Sequence, residues 1–244
     1  MSDFPEEGFR FFSTLPRQGP GSEARTRAVL NRLPPLPANP VVADVGCGTG
    51  AAAFVLAEAL KVPVRAFDIS PILLEVLSQR AAARGLSGAV LPEVADMAAL
   101  PVAPGSLDLL WAEGSVFILG LEAAFRLWKP LMKPGGLLVL SDGVWLTDTP
   151  PAEAVEMWRE YPTMGTPADA VAQAEAAGWE VLFTEPLEPE AWDAYIASTR
   201  TALAGPHGLT PDFVARLEME ATVWDRARGT YGYVFLAMRA GTPP

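Results

Sequence analysis

Val41-Val-Ala-Asp-Val-Gly-Cys-Gly-Thr-Gly50 decides how the rest of the chain reads. A short β-branched run, Val41–Val45, meets three alternate glycines and then an apolar helical stretch, Ala51–Leu60. That is a strand turning sharply into a helix, and glycine supplies the positive φ and bare backbone such a turn needs. The same alternation continues downstream. Val62–Asp68 reads as a second strand and Pro71–Arg84 as a helix with proline in its first turn. Ala89–Ala95 and Leu107–Ala112 read as strands, Leu121–Trp128 as a helix, Lys133–Gly136 as a turn and Leu137–Ser141 as a fifth strand. Strands alternating with helices at this spacing imply right-handed crossovers and a doubly wound α/β fold around a mostly parallel sheet.

Upstream, residues 1–20 are rich in Phe, Pro and Gly and read as an irregular arm. A helix follows, with Ser22 as its N-cap and Pro34-Pro35 as its stop; 34–40 is a stiff connector. Downstream, helices are expected over Ala152–Glu160, Pro167–Ala177, Ala191–Leu203 and Pro211–Arg228, with strands over Glu180–Thr184 and Tyr231–Met238. This gives seven strands in a single domain spanning 1–244: an arm and helix (1–40), a first half built on the glycine turn (41–142), and a second half (143–244). Helices inserted between the last two strands are placed to form a lid over the carboxyl edge of the sheet, where open α/β folds bind ligands.

Half of the 244 residues are hydrophobic, enough for a sizeable core, yet no apolar run is long enough to span a bilayer. The first residues lack a signal-peptide pattern, and the single cysteine excludes an internal disulfide; a cytoplasmic location is the default. A net charge of −11 argues against nucleic acid as a partner and favours a small molecule. Arg10, Arg17, Arg25, Arg27 and Arg32 cluster near the start and read as a solvated helix face. No metal site is expected, and the sequence does not set the oligomeric state.

Gly46-x-Gly48-x-x-Ala51 fits the dinucleotide-binding pattern, so the glycines alone leave NAD(P), S-adenosylmethionine, or a turn that binds nothing. Three acids discriminate. Asp44 lies inside the first strand, where a carboxylate is costly unless it meets an ammonium group or the N–H groups of the loop. It would repel a pyrophosphate. Asp68 closes the second strand, where it can accept both ribose hydroxyls of an adenosine or cap the next helix. Asp96 follows the third strand at a point suited to an adenine amino group, with Ile69 and Met97 able to sandwich the ring. The set Asp44, Gly46, Cys47, Gly48, Thr49, Gly50, Asp68, Ile69, Asp96 and Met97 therefore favours S-adenosylmethionine, with S-adenosylhomocysteine as the product.

With Asp44-Val-Gly-Cys-Gly-Thr-Gly50, Asp68, Ala95-Asp96-Met97 and Leu131-Met-Lys-Pro-Gly-Gly136 in place, the chain resembles the class I S-adenosylmethionine-dependent methyltransferases from about Gln18 onward. More narrowly, it resembles a poorly characterised bacterial small-molecule methyltransferase group. The likeness rests on Arg17-Gln-Gly-Pro-Gly21, Trp111-Ala112-Glu113-Gly114 and Tyr231-Gly232-Tyr233. That resemblance implies a Rossmann-like fold and places Gln18 and Gly19 near the cofactor; a rigid Pro/Gly turn is the alternative for those two. No Asn-Pro-Pro-Tyr or Asp-Pro-Pro-Tyr follows the fourth strand, which disfavours nucleobase or glutamine amides, and a lone cysteine excludes arsenite methylation.

The acceptor side is less determined. Glu113, at the carboxyl end of the fourth strand, is the first candidate for a general base or for orienting the cofactor, and Asp142 is a second. His207, the only histidine, reads as a surface-loop residue, and Cys47 as a small residue against the cofactor whose pKa a nearby helix N-terminus would lower. Trp145, Tyr161 and Tyr195 are the aromatics expected nearest the acceptor. Two other functions use the same glycine turn: an NAD(P)-dependent oxidoreductase, and a non-catalytic S-adenosylmethionine-binding partner subunit.

Overall fold

The computed structural model describes residues 4–241 and is built on one seven-stranded sheet. Its strands are β1 (Val42–Val45), β2 (Val64–Asp68), β3 (Val90–Val94), β4 (Leu107–Glu113), β5 (Met132–Trp145), β6 (Trp179–Pro186) and β7 (Tyr231–Ala240). Their spatial order is β3-β2-β1-β4-β5-β7-β6. The first five run parallel, and β7 lies antiparallel between β5 and β6. This is the doubly wound, Rossmann-like arrangement expected from the alternation.

Helices α1 (Glu6–Thr14), α2 (Glu23–Arg32), α3 (Ala51–Leu60), α4 (Pro71–Ala83) and α5 (Leu121–Trp128) accompany the parallel half. α6 (Ala152–Met157) and α7 (Pro167–Ala176) join β5 to β6, and α8 (Pro189–Leu203) and α9 (Pro211–Ala227) join β6 to β7. The two faces of the sheet bury separate cores, as period-two side chains require. Leu137 and Val139 of β5 face one core with Phe54, Leu56, Leu77 and the aromatics of α8 and α9. Leu138 and Leu140 face the other, with Phe125, Trp128 and Trp179.

Local chemistry explains most boundaries. Ser22 caps α2 by accepting from the Arg25 N–H at 3.1 Å, and Ser70 caps α4 from the Leu73 N–H at 3.3 Å. Thr166 and Asp169 form a reciprocal capping box on α7.

One expectation is corrected. The arm over residues 1–20 contains a nine-residue helix, α1, whose aromatic residues fall at helical spacing. Phe11 is buried, Phe4 packs edge-on to Phe213 of α9, and a Cβ on Gly8 would sit 2.8 Å from that same Phe213 ring. Glycine is therefore what lets α1 dock closely on α9, a tertiary reason that the local composition conceals. β5 runs 14 residues, and Lys133–Gly136, expected as a turn, form an irregularity near its start. Met132 pairs with Leu107 and Leu137 with Leu109, the residues between have no partner on β4, and pairing with β7 begins only at Leu137.

The turn between β1 and α3 is the most constrained point. Gly50 has φ 92°, and a Cβ there would lie 2.9 Å from both Leu77 and Phe54. Gly50→Ala should cost about 1–3 kcal/mol through left-handed strain and displaced core side chains. Urea unfolding with a change under about 0.3 kcal/mol would show that the turn relaxes freely.

Candidate active site

Four acids end up at the carboxyl edges of four adjacent strands: Asp68 (β2), Asp44 (β1), Glu113 (β4) and Asp142 (β5). Asp44 is 1% exposed, and its Oδ2 has no hydrogen-bond partner. Burial first, then the neighbouring Glu113 charge, pushes its pKa up to about 8, against the opposing pull of Arg17 and the Ala53 N–H. A carboxyl group this poorly compensated would be stabilised by a donor or a cation.

Asp68 fixes the glycine turn. Its Oδ2 accepts from the Gly48 N–H at 2.8 Å and its Oδ1 from the Ser70 N–H at 2.9 Å. Burial raises its pKa, and those backbone donors oppose the rise. Ser70, not Asp68, caps α4, and each Asp68 oxygen keeps lone-pair capacity for a ribose hydroxyl. Ile69 lies between the two, and Met97 reaches over the loop so that a Cβ on Gly46 would meet its Cε at 3.4 Å. Gly46, Gly48 and Gly50 all have positive φ. Asp96 is exposed and accepts from the Ala98 N–H at 2.8 Å, which leaves its second oxygen for a ligand. Cys47 is buried, and burial, followed by the Asp44 and Asp68 charges, raises its pKa well above the ordinary thiol value. The lowering expected from the helix terminus is thus reversed.

The N-terminal arm closes this cradle. Gln18 Oε1 accepts from the Thr49 N–H at 3.0 Å and from its hydroxyl at 3.1 Å, while its amide nitrogen donates to Phe12 O at 3.0 Å. Arg80 of α4 ties down the same arm, donating to Thr49 Oγ1 at 2.6 Å, Leu15 O at 2.9 Å and Pro16 O at 3.0 Å. Gly19 follows Gln18, with nothing within 4 Å of where a Cβ would be. Gln18 and Thr49 are thus brought together directly, whereas Gly19 makes no such close approach.

Glu113, the first candidate for a base or for orienting the cofactor, is held by partners from other elements. One oxygen is ion-paired with Arg17, and the other accepts from Thr26 Oγ1 and Trp111 Nε1, each at 2.7 Å. A carboxylate held by a cation and two donors is a good anchor for the arm. The chain's sequence gave no local sign of this, because Arg17 and Thr26 lie 96 and 87 residues away. The other early arginines are likewise paired with acids, Arg10 and Arg32 on exposed faces as expected and Arg25 and Arg27 half-buried. Arg10 meets Glu6, Arg25 meets Glu185 and Glu188, Arg27 meets Glu58, and Arg32 meets Glu185.

Asp142 is 1% exposed; its Oδ2 accepts from the Tyr161 hydroxyl at 2.5 Å and its Oδ1 has no partner. Burial pushes its pKa up to about 6. Tyr195 and Tyr161 are both buried, and Trp145 stands edge-on to Tyr231, 6.4 Å between centroids. His207 sits in the α8–α9 loop and accepts from the Leu209 N–H. Among the described residues no helix is long and apolar enough to cross a membrane.

Comparison with known proteins agrees with this geometry. A family model described as a methyltransferase domain matches residues 42–136. The chain is 32% identical to the uncharacterized methyltransferase YodH of Bacillus subtilis, over 58% of this chain and 59% of that one. The chain thus spans about three fifths of that relative's length. Among solved structures, a SAM-dependent methyltransferase from Thiobacillus denitrificans in complex with S-adenosylhomocysteine superposes with a TM-score of 0.80 at 22% identity, covering 97% of this chain and 99% of that one. The [4+2]-cyclase SpnF superposes with a TM-score of 0.74 at 23% identity, covering 91% and 82%. At these identities the likeness establishes the fold.

If Glu113 is an anchor, Glu113→Ala should cost about 3–5 kcal/mol, since it strands Arg17 as well as two donors. Thr26→Val, which removes one donor, should cost about 1 kcal/mol. Urea unfolding in which both variants match the parent would contradict the anchoring role.

Proposed function

We propose that the chain is a class I S-adenosylmethionine-dependent methyltransferase, which the methyltransferase-domain match over residues 42–136 supports, and that it transfers a methyl group from S-adenosylmethionine to a small-molecule acceptor. The observation that carries this reading is Asp44: a buried carboxylate with an orphan oxygen beside a positive-φ glycine turn. It suits the ammonium end of the cofactor's methionine moiety and is hostile to a pyrophosphate, which disfavours the NAD(P) reading. Asp68 would hold the ribose, Met97 and Ile69 the adenine faces, and Asp96 the adenine amino group. Gln18 and Thr49 would close the arm over the methionine end. When bound, the cofactor supplies an activated methyl on a sulfonium, so the chemistry is a direct displacement.

The chain's own contribution is alignment and exclusion of water. The arm held by Arg17, Gln18 and Arg80 covers one side, while the α8–α9 insertion supplies aromatic residues on the acceptor side. Asp142 replaces Glu113 as the group suited to receive or hold a proton, because its Oδ1 is unpartnered and its pKa lies near 6.

The sign of the linkage gives a test. A folded-state pKa raised from 3.8 to about 8 means that ligand-free Asp44 holds a proton at neutral pH, and that its contribution to stability declines as pH climbs through that interval. An ammonium partner favours the ionised form, so binding at pH 7 should release a proton. Calorimetry of S-adenosylhomocysteine in buffers of different ionisation enthalpy should show that release in the parent chain and lose it in Asp44→Asn. The variant should also bind about 10- to 100-fold more weakly, the loss of a charged hydrogen bond. Equal affinity and no proton release in either would place the ammonium group elsewhere.

A further inference from the structure

On the acceptor side, α9 buries Phe213, Leu217 and Trp224 on one stripe, and Glu220 falls on that same stripe. An acid on the core-facing side of a lid helix needs a reason. Its Oε2 receives only a long hydrogen bond, 3.3 Å, from the Tyr195 hydroxyl of α8. Arg216, the nearest cation on its own helix, is turned outward to Glu160. Glu220 is half-buried, and burial pushes its pKa up to about 7 against the opposing pull of the Tyr195 hydrogen bond and the Arg216 charge.

Across the sheet edge stands Asp142 with its unpartnered Oδ1. Tyr233 lies between the two acids and feels both charges, which, after burial, raise its pKa. Its ring also defines where this is in the fold: a Cβ on Gly114, the residue after β4, would meet it at 3.2 Å. The site therefore abuts the β4 and β5 ends, next to the cofactor cradle. Tyr233 packs edge-on to Trp192 at 5.2 Å, and Trp192 to Tyr195 at 6.3 Å. The buried wall holds further polar atoms without partners, Trp192 Nε1 and Thr199 Oγ1 of α8 and Trp158 Nε1. Two carboxylates, several π faces and no ion-paired cation between them make an environment that disfavours anions and stabilises a compact positive charge.

We propose that Asp142 and Glu220, with the faces of Tyr161, Tyr195 and Tyr233, form a binding site for a cationic amine, and that the methyl acceptor is a protonated amine of this class. It passes its N–H proton to the Asp142 carboxylate, the freed lone pair forms the N–C bond to the sulfonium methyl, and the C–S bond breaks to leave the thioether. The proposal rests on the methyltransferase reading for what becomes of the amine, but not for its binding. The protonated nitrogen would sit between the two acids, its charge shared by them and its alkyl groups against the rings. A quaternary nitrogen, which has no lone pair to methylate, would bind there as a non-reacting probe.

The test uses choline and its neutral isostere 3,3-dimethyl-1-butanol, titrated into the full chain with and without saturating S-adenosylhomocysteine. Intrinsic tryptophan fluorescence and thermal shift are the readouts. Choline should bind saturably and at least tenfold more tightly than the isostere. Asp142→Asn and Glu220→Gln should each weaken choline about tenfold or more while S-adenosylhomocysteine affinity stays within twofold, which also shows that each variant is folded. Should Asp142→Asn fail to fold, Glu220→Gln and Tyr233→Phe, the latter retaining choline affinity within threefold because its ring face is kept, carry the test. Equal binding of the two probes, absence of saturable choline binding, or choline affinity unchanged in the acid variants would overturn the proposal. Failure of S-adenosylhomocysteine to bind, with choline still discriminated from its isostere, would instead overturn the cofactor reading.

Discussion

Negative charge crowded at a buried sheet edge is the constraint on which this molecule depends. Asp68, Asp44, Glu113 and Asp142 stand at the ends of four neighbouring strands, and the Asp44 carboxyl registers both Glu113 and Asp68 as like charges. Each acid meets the problem differently. Asp68 spends its charge on two backbone N–H groups and thereby fixes the glycine turn. Glu113 draws in Arg17, Thr26 and Trp111. Asp44 and Asp142 each keep an oxygen with no partner, and burial shifts both towards the protonated form. An edge arranged this way is incomplete without a ligand that brings positive charge or hydrogen-bond donors.

The Glu113 cluster also links the arm to the half built on the glycine turn. Arg17 pairs with it, Gln18 next door contacts the Thr49 end of α3, and Arg80 holds the preceding carbonyls. α1 is fastened at its other side to the lid, where Glu7 accepts from the Thr210 N–H and hydroxyl at 2.7 Å each. The arm therefore bridges the glycine turn and the start of α9.

The parallel half was legible because its signals are local. Glycines at alternate positions, an acid closing β2, and Ser22 and Ser70 as caps each act within a few residues of themselves. What escaped reading is set by distance in the chain. α1 is a helix because Phe213, two hundred residues on, gives its glycine-containing face something to pack against. Glu113 resembles a base by position, and only partners from α2 and the arm make it an anchor. The early arginines look like a solvated stripe until the acids of β6 and the α8 approach are seen beside them. Glu220 reads as an ordinary polar residue on an amphipathic helix until the stripe that it shares with Leu217 and Trp224 turns inward.

The central claim is that this acidic edge selects a ligand carrying an ammonium group on an adenosine frame over one carrying a pyrophosphate on the same frame. Parallel calorimetric titrations of the full chain with S-adenosylhomocysteine and with NADH, at one pH and ionic strength, test it most directly. The account predicts saturable one-to-one binding of S-adenosylhomocysteine and no detectable heat from NADH. Comparable binding of both, or binding of NADH alone, would contradict it.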